Sequence, residues 1–553
     1  MTRRIALAVV HSAIFATLGI ALFACRSADR GQSAEERRRS GSLVFNLASE
    51  PTSLDPARAT RLADLRVIGQ CLEGLVRVDT SGQPAGAAAE SWDSSPDGRT
   101  YRFHLRPAQW SNGEPVRSSD FAFAWRRVLD PAIRPYWADL FFAIEGAHDY
   151  YRAAPQKRDA IRLGIETPDE RTLVVRLARP VPYFLSLVAL ESFYPLYQAS
   201  VERLGEGAFR APDYICNGPF RLVEHIPRRR IILEPNPLYR ARADSALNRL
   251  VFVMVENEFT EWTAYRRGEI DITDSVHRSV VAAMRGSGDF HSAPLVGTLY
   301  LTFNCRRPPF DRPEVRRAFA LALDRRRLVE HITRGGERPA TGFVPPGIPS
   351  RPRVGPFASL SYGTDFRADG GDLVPPSALG DDEWKRIVGA LPPLSRPIIY
   401  SHDASELQRS LAVAFQMMWR DKLGIEVEIR SFPSRLLHLN KRRGDYMIAT
   451  ASWVADYLDP TTFLDIFRTD SPNNYSQWSD VRYDQLLNRA ATTFNTAERA
   501  DLLHQAERLL IEQMPMCPIH FYAVTYLQRP GLGGIERNLL GRIDFSRAHW
   551  IGR

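Results

Sequence analysis

The stretch from Ile398 to Ile429 restricts the possible folds of this chain more than any other. Ile398–Tyr400 is a short apolar run of strand type. Ser405 then opens a helical pattern with Leu407, Leu411, Ala414, Phe415 and Met418 on one face, and Gly424 closes it. Ile425, Val427 and Ile429 alternate with charged neighbours as the next strand. Strand, helix and strand in that order make a β-α-β unit, which requires a parallel sheet covered by helices. Pro313 begins a further helix carrying Val315, Phe319 and Leu323 along one stripe.

The earlier half follows another pattern. Leu43–Leu47 reads as a first strand, broken by Leu54-Asp55-Pro56. Tyr101, Phe103 and Leu105 alternate with polar residues, and the turn Pro96-Asp97-Gly98 joins that strand to the stretch around Trp92. Ser118, Ser119 and Asp120 offer N-cap oxygens to a helix over Phe121–Leu129, ended by Asp130-Pro131. Arg171–Leu177 is another strand, so this region forms a small α+β lobe. With 44% hydrophobic residues, the 553-residue chain supports more than one core. A net charge of +8 over that length, with no aromatic residues interleaved among the cations, excludes a nucleic-acid binder. Runs such as Arg37–Arg39 and Lys441–Arg443 read as solvated surface.

At the N-terminus, Arg3 and Arg4 precede an apolar run from Ile5 to Ala24, the layout of an export signal. Leu22-Phe23-Ala24-Cys25 resembles a lipobox, where bacterial lipoproteins are cleaved and acylated on the new terminal cysteine. Phe23 is bulkier than that position usually holds, and an uncleaved membrane anchor is the alternative. Both readings place the globular part outside a membrane, in the periplasm or cell envelope. Arg26–Gly41 is polar and reads as a flexible tether. Cys71, Cys216, Cys305 and Cys517 remain, free to form disulfides in an exported protein or to act as buried thiols.

Catalytic and cofactor motifs are missing: there is no H-E-x-x-H, G-x-S-x-G, Walker A or G-x-G-x-x-G, and no His or Cys stands at metal-ligand spacing. Neither an enzyme nor a cofactor or metal protein is expected. Asp456 and Asp459 could form a carboxylate pair. Asp459-Pro460 also fits a helix start. Asp456 follows the apolar run Tyr446–Ala455, where a buried carboxylate needs a cap, a turn or a ligand cation as partner.

Ala451-Ser-Trp-Val-Ala-Asp-Tyr457, Asp459-Pro-Thr-Thr-Phe-Leu464 and Asp470-Ser-Pro-Asn-Asn474 resemble the peptide-type (family 5) extracellular solute-binding proteins that serve ABC importers. The likeness runs over nearly all of the chain after the tether. It includes Cys71-Leu-Glu-Gly-Leu75, Ala89-Glu-Ser-Trp92, Trp110-Ser-Asn-Gly-Glu-Pro-Val116, Asn217-Gly-Pro-Phe220 and Tyr265-Arg-Arg-Gly-Glu-Ile-Asp271. The resemblance implies an α/β (mixed α+β), periplasmic-binding-protein-like type II fold with three lobes closing by hinge motion around a cleft. Residues 1–24 would be the signal and 25–42 the tether. Lobe I would comprise 43–78, 215–296 and 518–553, lobe II 79–214, and lobe III 297–517.

It also implies a monomeric carrier that takes short peptides in extended form and delivers them to an ABC permease. Residue by residue, Asp456 would pair with the peptide α-ammonium, and Ser452 and Val454 would supply main-chain groups. Trp453 would wall a pocket or lie in the core. Tyr136 would contact the peptide's N-terminal end, Thr60 and Leu62 would lie on the lobe I segment that pairs with ligand backbone, and Asn474 and Tyr522 would line the site. Some members carry an arginine for the peptide carboxylate where this chain has Thr450, and bridge cysteines at the positions of Gly297 and Val454. Lys441, Arg442 and Arg443 are nearby candidates for the carboxylate. The rival readings are another cargo on the same scaffold (metal chelate, haem, modified sugar) or a membrane-tethered peptide sensor or chaperone.

Overall fold

The computed structural model describes residues 33–241, 247–348, 381–389, 391–393 and 396–551. Cys25, the signal and most of the expected tether lie outside them. The tether reading fails at its end, because Ala34–Ser40 is a helix (α1). Ser33 and Glu36 form a capping box on it. Arg37 reaches inward to Asp271 at 2.6 Å, with both side chains buried, and Gly268 O accepts a second bond from it. A polar surface composition had hidden one inward-facing arginine.

Three large sheets follow. The first has the order β1 (Ser42–Asn46), β10 (Arg249–Val253), β9 (Arg230–Pro235), β8 (Phe220–Ile226). Its strand β1 is wholly buried and pairs in parallel with β10, although some 200 residues separate them. What lies between is therefore an insertion, and it carries a sheet of its own. A short antiparallel pair, β2 (Val76–Val78) and β3 (Pro84–Gly86), leads into it. That second sheet, β4 (Ala89–Ser94), β5 (Thr100–Leu105), β7 (Thr172–Arg176), β6 (Ile165–Asp169), is entirely antiparallel. Tyr101, Phe103 and Leu105 point into its core, where the helix Ser118–Val128 lays Phe121 and Trp125. The helix starts three residues earlier than expected. Asp120 does not precede it as an N-cap but sits in its first turn, accepting from Arg117 N at 2.8 Å and Trp110 Nε1 at 3.0 Å.

The third sheet is mixed: β12 (Arg338–Pro339), β16 (Met516–Leu527), β11 (Phe290–Phe303), β15 (Ile448–Val454), β13 (Ile398–Asp403), β14 (Val427–Phe432). The expected β-α-β unit is present. Ser405 caps the helix Glu406–Leu423, Gly424 ends it at φ 67°, and β13 and β14 pair in parallel. Strands β11 and β16 are long, antiparallel and broken in register between Pro294 and Thr298. The expected boundaries at 296/297 and 517/518 thus fall inside continuous strands. An antiparallel pair of strands links the regions on either side and provides a place to bend.

Candidate functional site

Strand β15 is covered from end to end on one edge only. Along its whole length it pairs with β11, from Gly297–Val454 to Phe303–Ile448. On the other edge β13 reaches it at only two positions, Ile448 and Ala449. Ala455 N donates to Val296 O at 2.8 Å, on the β11 side. Main-chain groups alternate along a strand, so Ala451 and Trp453 also face β11, whereas Thr450, Ser452 and Val454 aim theirs at the uncovered edge. The Thr450 carbonyl confirms this parity, since it accepts from Lys441 Nζ at 3.1 Å rather than from β11. Ser452 and Val454 are left exposed, with N–H and C=O groups free to pair with an added strand.

Just past the end of that edge stands Asp456. Its amide donates to Thr462 Oγ1 at 3.2 Å, while its half-buried carboxylate has no hydrogen-bond or ion-pair partner among the described residues. Burial, reinforced by the charge of Asp139 and opposed by Arg542, pushes its pKa up to about 6. Arg542 does not neutralise it, being held by Glu191 at 2.5 Å. Asp459 is not its catalytic partner. A buried Arg499 grips both Asp459 oxygens at 2.7 and 2.8 Å, and Asp459 Oδ1 also accepts from Thr461 N. One carboxylate is structural and the other has no partner among the described residues.

The remaining expected residues fall into two groups. Tyr522 sits beside Ser452, and its ring lies over Gly297, where a Cβ would stand 2.8 Å from it. Gly297 and Val454 are direct register partners. Tyr136 is 63% exposed and fixed beside the lobe I segment, its amide on Ala57 O and the neighbouring Trp137 indole on Ala59 O. Trp453 points to the face opposite Ser452 and Val454. It packs against the core, with an indole N–H that has no partner among the described residues. Thr60 offers less than expected, because its N–H already donates to Asp64 Oδ2 at 3.0 Å. Its carbonyl and hydroxyl have no partner among the described residues, beside Leu62 at the start of the helix Leu62–Cys71. Asn474 is occupied: its amide donates to the carbonyls of Arg468 and Trp478, and its Oδ1 accepts from Ser476. It brackets a turn and presents no free group.

Lys441 is the residue the sequence undervalued. The run Lys441–Arg443 is not an exposed loop but the last turn of the helix Ser434–Arg443. Arg442 and Arg443 face solvent, while Lys441 is buried, its ammonium on Thr450 O and 5.1 Å from the Tyr475 ring centre. Burial lowers its pKa to about 8. The uncovered edge thus has a carboxylate at one end and an ammonium at the other.

Comparison with known proteins identifies the family. Residues 83–475 match the model of bacterial extracellular solute-binding proteins, family 5. The dipeptide-binding protein DppE of Bacillus subtilis is 30% identical over 96% of this chain and 97% of its own. The unliganded open form of the periplasmic murein tripeptide-binding protein MppA superposes with a TM-score of 0.76 at 28% identity, over 94% of this chain and 99% of that one. The oligopeptide-binding protein OppA of Haemophilus influenzae, in complex with the peptide RPPGFSPFR, gives 0.71 at 29% identity, over 93% and 99%. A carrier's free strand edge, an unpartnered acid beyond it and matches spanning nearly the whole chain converge: this protein belongs to the bacterial extracellular solute-binding proteins of family 5.

Proposed function

We propose that this chain is the substrate-binding component of an ABC importer, capturing short peptides along the free edge of β15 and releasing them unchanged to a permease. The observation that carries the reading is an uncovered strand edge leading to an unpartnered acid. Main-chain pairing with Ser452 and Val454 holds any sequence in extended form. Asp456 takes the peptide α-ammonium, and Lys441 takes the carboxylate. Residues 450–456 span at most roughly 20 Å at about 3.3 Å per residue, so a ligand gripped at both ends has no more than about five residues. Tyr522, whose ring lies over Gly297 opposite Val454, borders the ammonium end.

Calorimetry tests this directly. A free-amino tetrapeptide should bind, and its N-acetylated form should bind roughly 10- to 150-fold more weakly, the loss of a charge-assisted hydrogen bond of about 1.5–3 kcal/mol. Asp456→Asn should erase the difference between the two peptides. Equal binding of both peptides to the parent would remove the ammonium site.

The carrier acts as a monomer, tethered by lipid on Cys25 outside the membrane, which keeps it near its permease. Cys25→Ser is expected to move it to the soluble fraction. Retention in membranes would favour an uncleaved anchor instead.

A further inference from the structure

Four cysteines follow the leader, and two of them meet. Cys71 ends the helix Leu62–Cys71 and Cys216 lies on the return from the second sheet; both are fully buried. The Cys216 side chain is close enough to shift the Cys71 thiol, and its own Sγ donates to Tyr214 O at 3.1 Å. Their backbones are held close by Gly218, whose N–H donates to Cys71 O at 2.8 Å. A Cβ at 218 would stand 2.7 Å from the Cys71 carbonyl carbon, so only glycine lets the segments approach this far. Ser111 clamps Cys216 from the other side, accepting its N–H at 3.0 Å and donating to its carbonyl at 2.7 Å. The other two cysteines have separate surroundings: Cys305 Sγ turns to Phe303 O, and Cys517 Sγ accepts from Arg325 Nη2.

We propose that Cys71 and Cys216 are a modification site, oxidised during folding to a disulfide that staples the root of the lobe inserted between them. Bridging them brings the two sulfurs to about 2.05 Å, between segments already in backbone contact at Gly218 and Cys71. The oxidant is a small disulfide such as oxidised glutathione. One cysteine thiolate attacks it and expels a glutathione thiolate. The second cysteine thiolate then displaces the other glutathione, so the protein gains one S–S bond and the oxidant loses one. Both protons end on the two reduced glutathiones. The neighbouring Cys216 thiol, and then burial, raise the Cys71 thiol well above its ordinary pKa. A folded dithiol is therefore slow to react, which places the step before the core closes. The ring formed encloses the whole antiparallel sheet β4–β7, and a link across so long a loop restrains the unfolded chain strongly.

The test is to refold the reduced full-length protein in a glutathione redox buffer, alkylate it under denaturing conditions and map the peptides without reduction. The expected result is one linked species joining Cys71 to Cys216, with Cys305 and Cys517 alkylated. The oxidised protein should also melt several degrees above the reduced one, and Cys71→Ser and Cys216→Ser should each abolish that difference while leaving peptide affinity unchanged. Alkylation of all four cysteines, or a Cys305–Cys517 link, would overturn the proposal. Because the mapping uses the parent protein, a variant that folds poorly does not affect the outcome, and the result is independent of what the cleft binds.

Discussion

With its pKa near 6, Asp456 is partly protonated in mildly acidic medium, and only its carboxylate attracts an ammonium. A bound cation lowers that pKa, so binding near pH 6 releases a proton, and affinity should fall about tenfold per pH unit below it. Lys441 acts with the opposite sign: burial holds its pKa at about 8, so its positive charge is lost as pH rises through that value. Peptide affinity should therefore peak between about 6 and 8, and C-terminal amidation should lower that peak. The peptide's own α-ammonium loses its proton at about pH 8, which keeps an alkaline limb in either peptide. Calorimetry over pH 4–10 checks both, and a flat profile would contradict them. Asp456 was legible in the sequence because an acid after an apolar run has few structural excuses. Lys441 was not: three adjacent cations look alike until a helix turns one inward and two outward. Asn474 misled for the converse reason, since side chains that bracket turns and side chains that bind ligands draw on the same amide chemistry.

At the scale of elements, the proposed recognition runs along the strand edge, and proline can probe it. The N–H of residue 452 faces the free edge, so Ser452→Pro removes a ligand contact without removing a bond to β11. Peptide affinity should drop at least tenfold while the melting temperature shifts by only a few degrees. Ser452→Ala, which keeps the N–H, serves as the control. A Ser452→Pro variant that binds normally would place the peptide elsewhere. Strand periodicity made β5, β7, β13 and β14 readable, because alternation and burial coincide there. The free edge of β15 could not be read, since it depends on where β13 stops. Helix α1 was missed although Ser33-Ala-Glu-Glu36 is a capping-box signature, because its one buried arginine finds Asp271 more than 230 residues away.

In the whole molecule, the three-lobe reading agrees with three separate large sheets, and the insertion is explained by β1 pairing with a strand from beyond it. The second and third sheets' regions also touch. Tyr183 stacks on Tyr457 with ring centres 5.0 Å apart, and Gly98, at φ 62°, packs against Phe494. Tyr457 adjoins Asp456, so the contact that joins the two regions lies beside the acid and helps to desolvate it. No local pattern announces such a meeting of distant turns; the ordered set of short motifs carried that information instead. The central claim is that the cleft is filled by an extended peptide held at its amino end. Native mass spectrometry of the purified protein, with sequencing of what co-purifies, tests it most directly. Unblocked peptides of no more than about five residues and mixed sequence are the predicted result, while a non-peptide cargo or N-blocked peptides would contradict it.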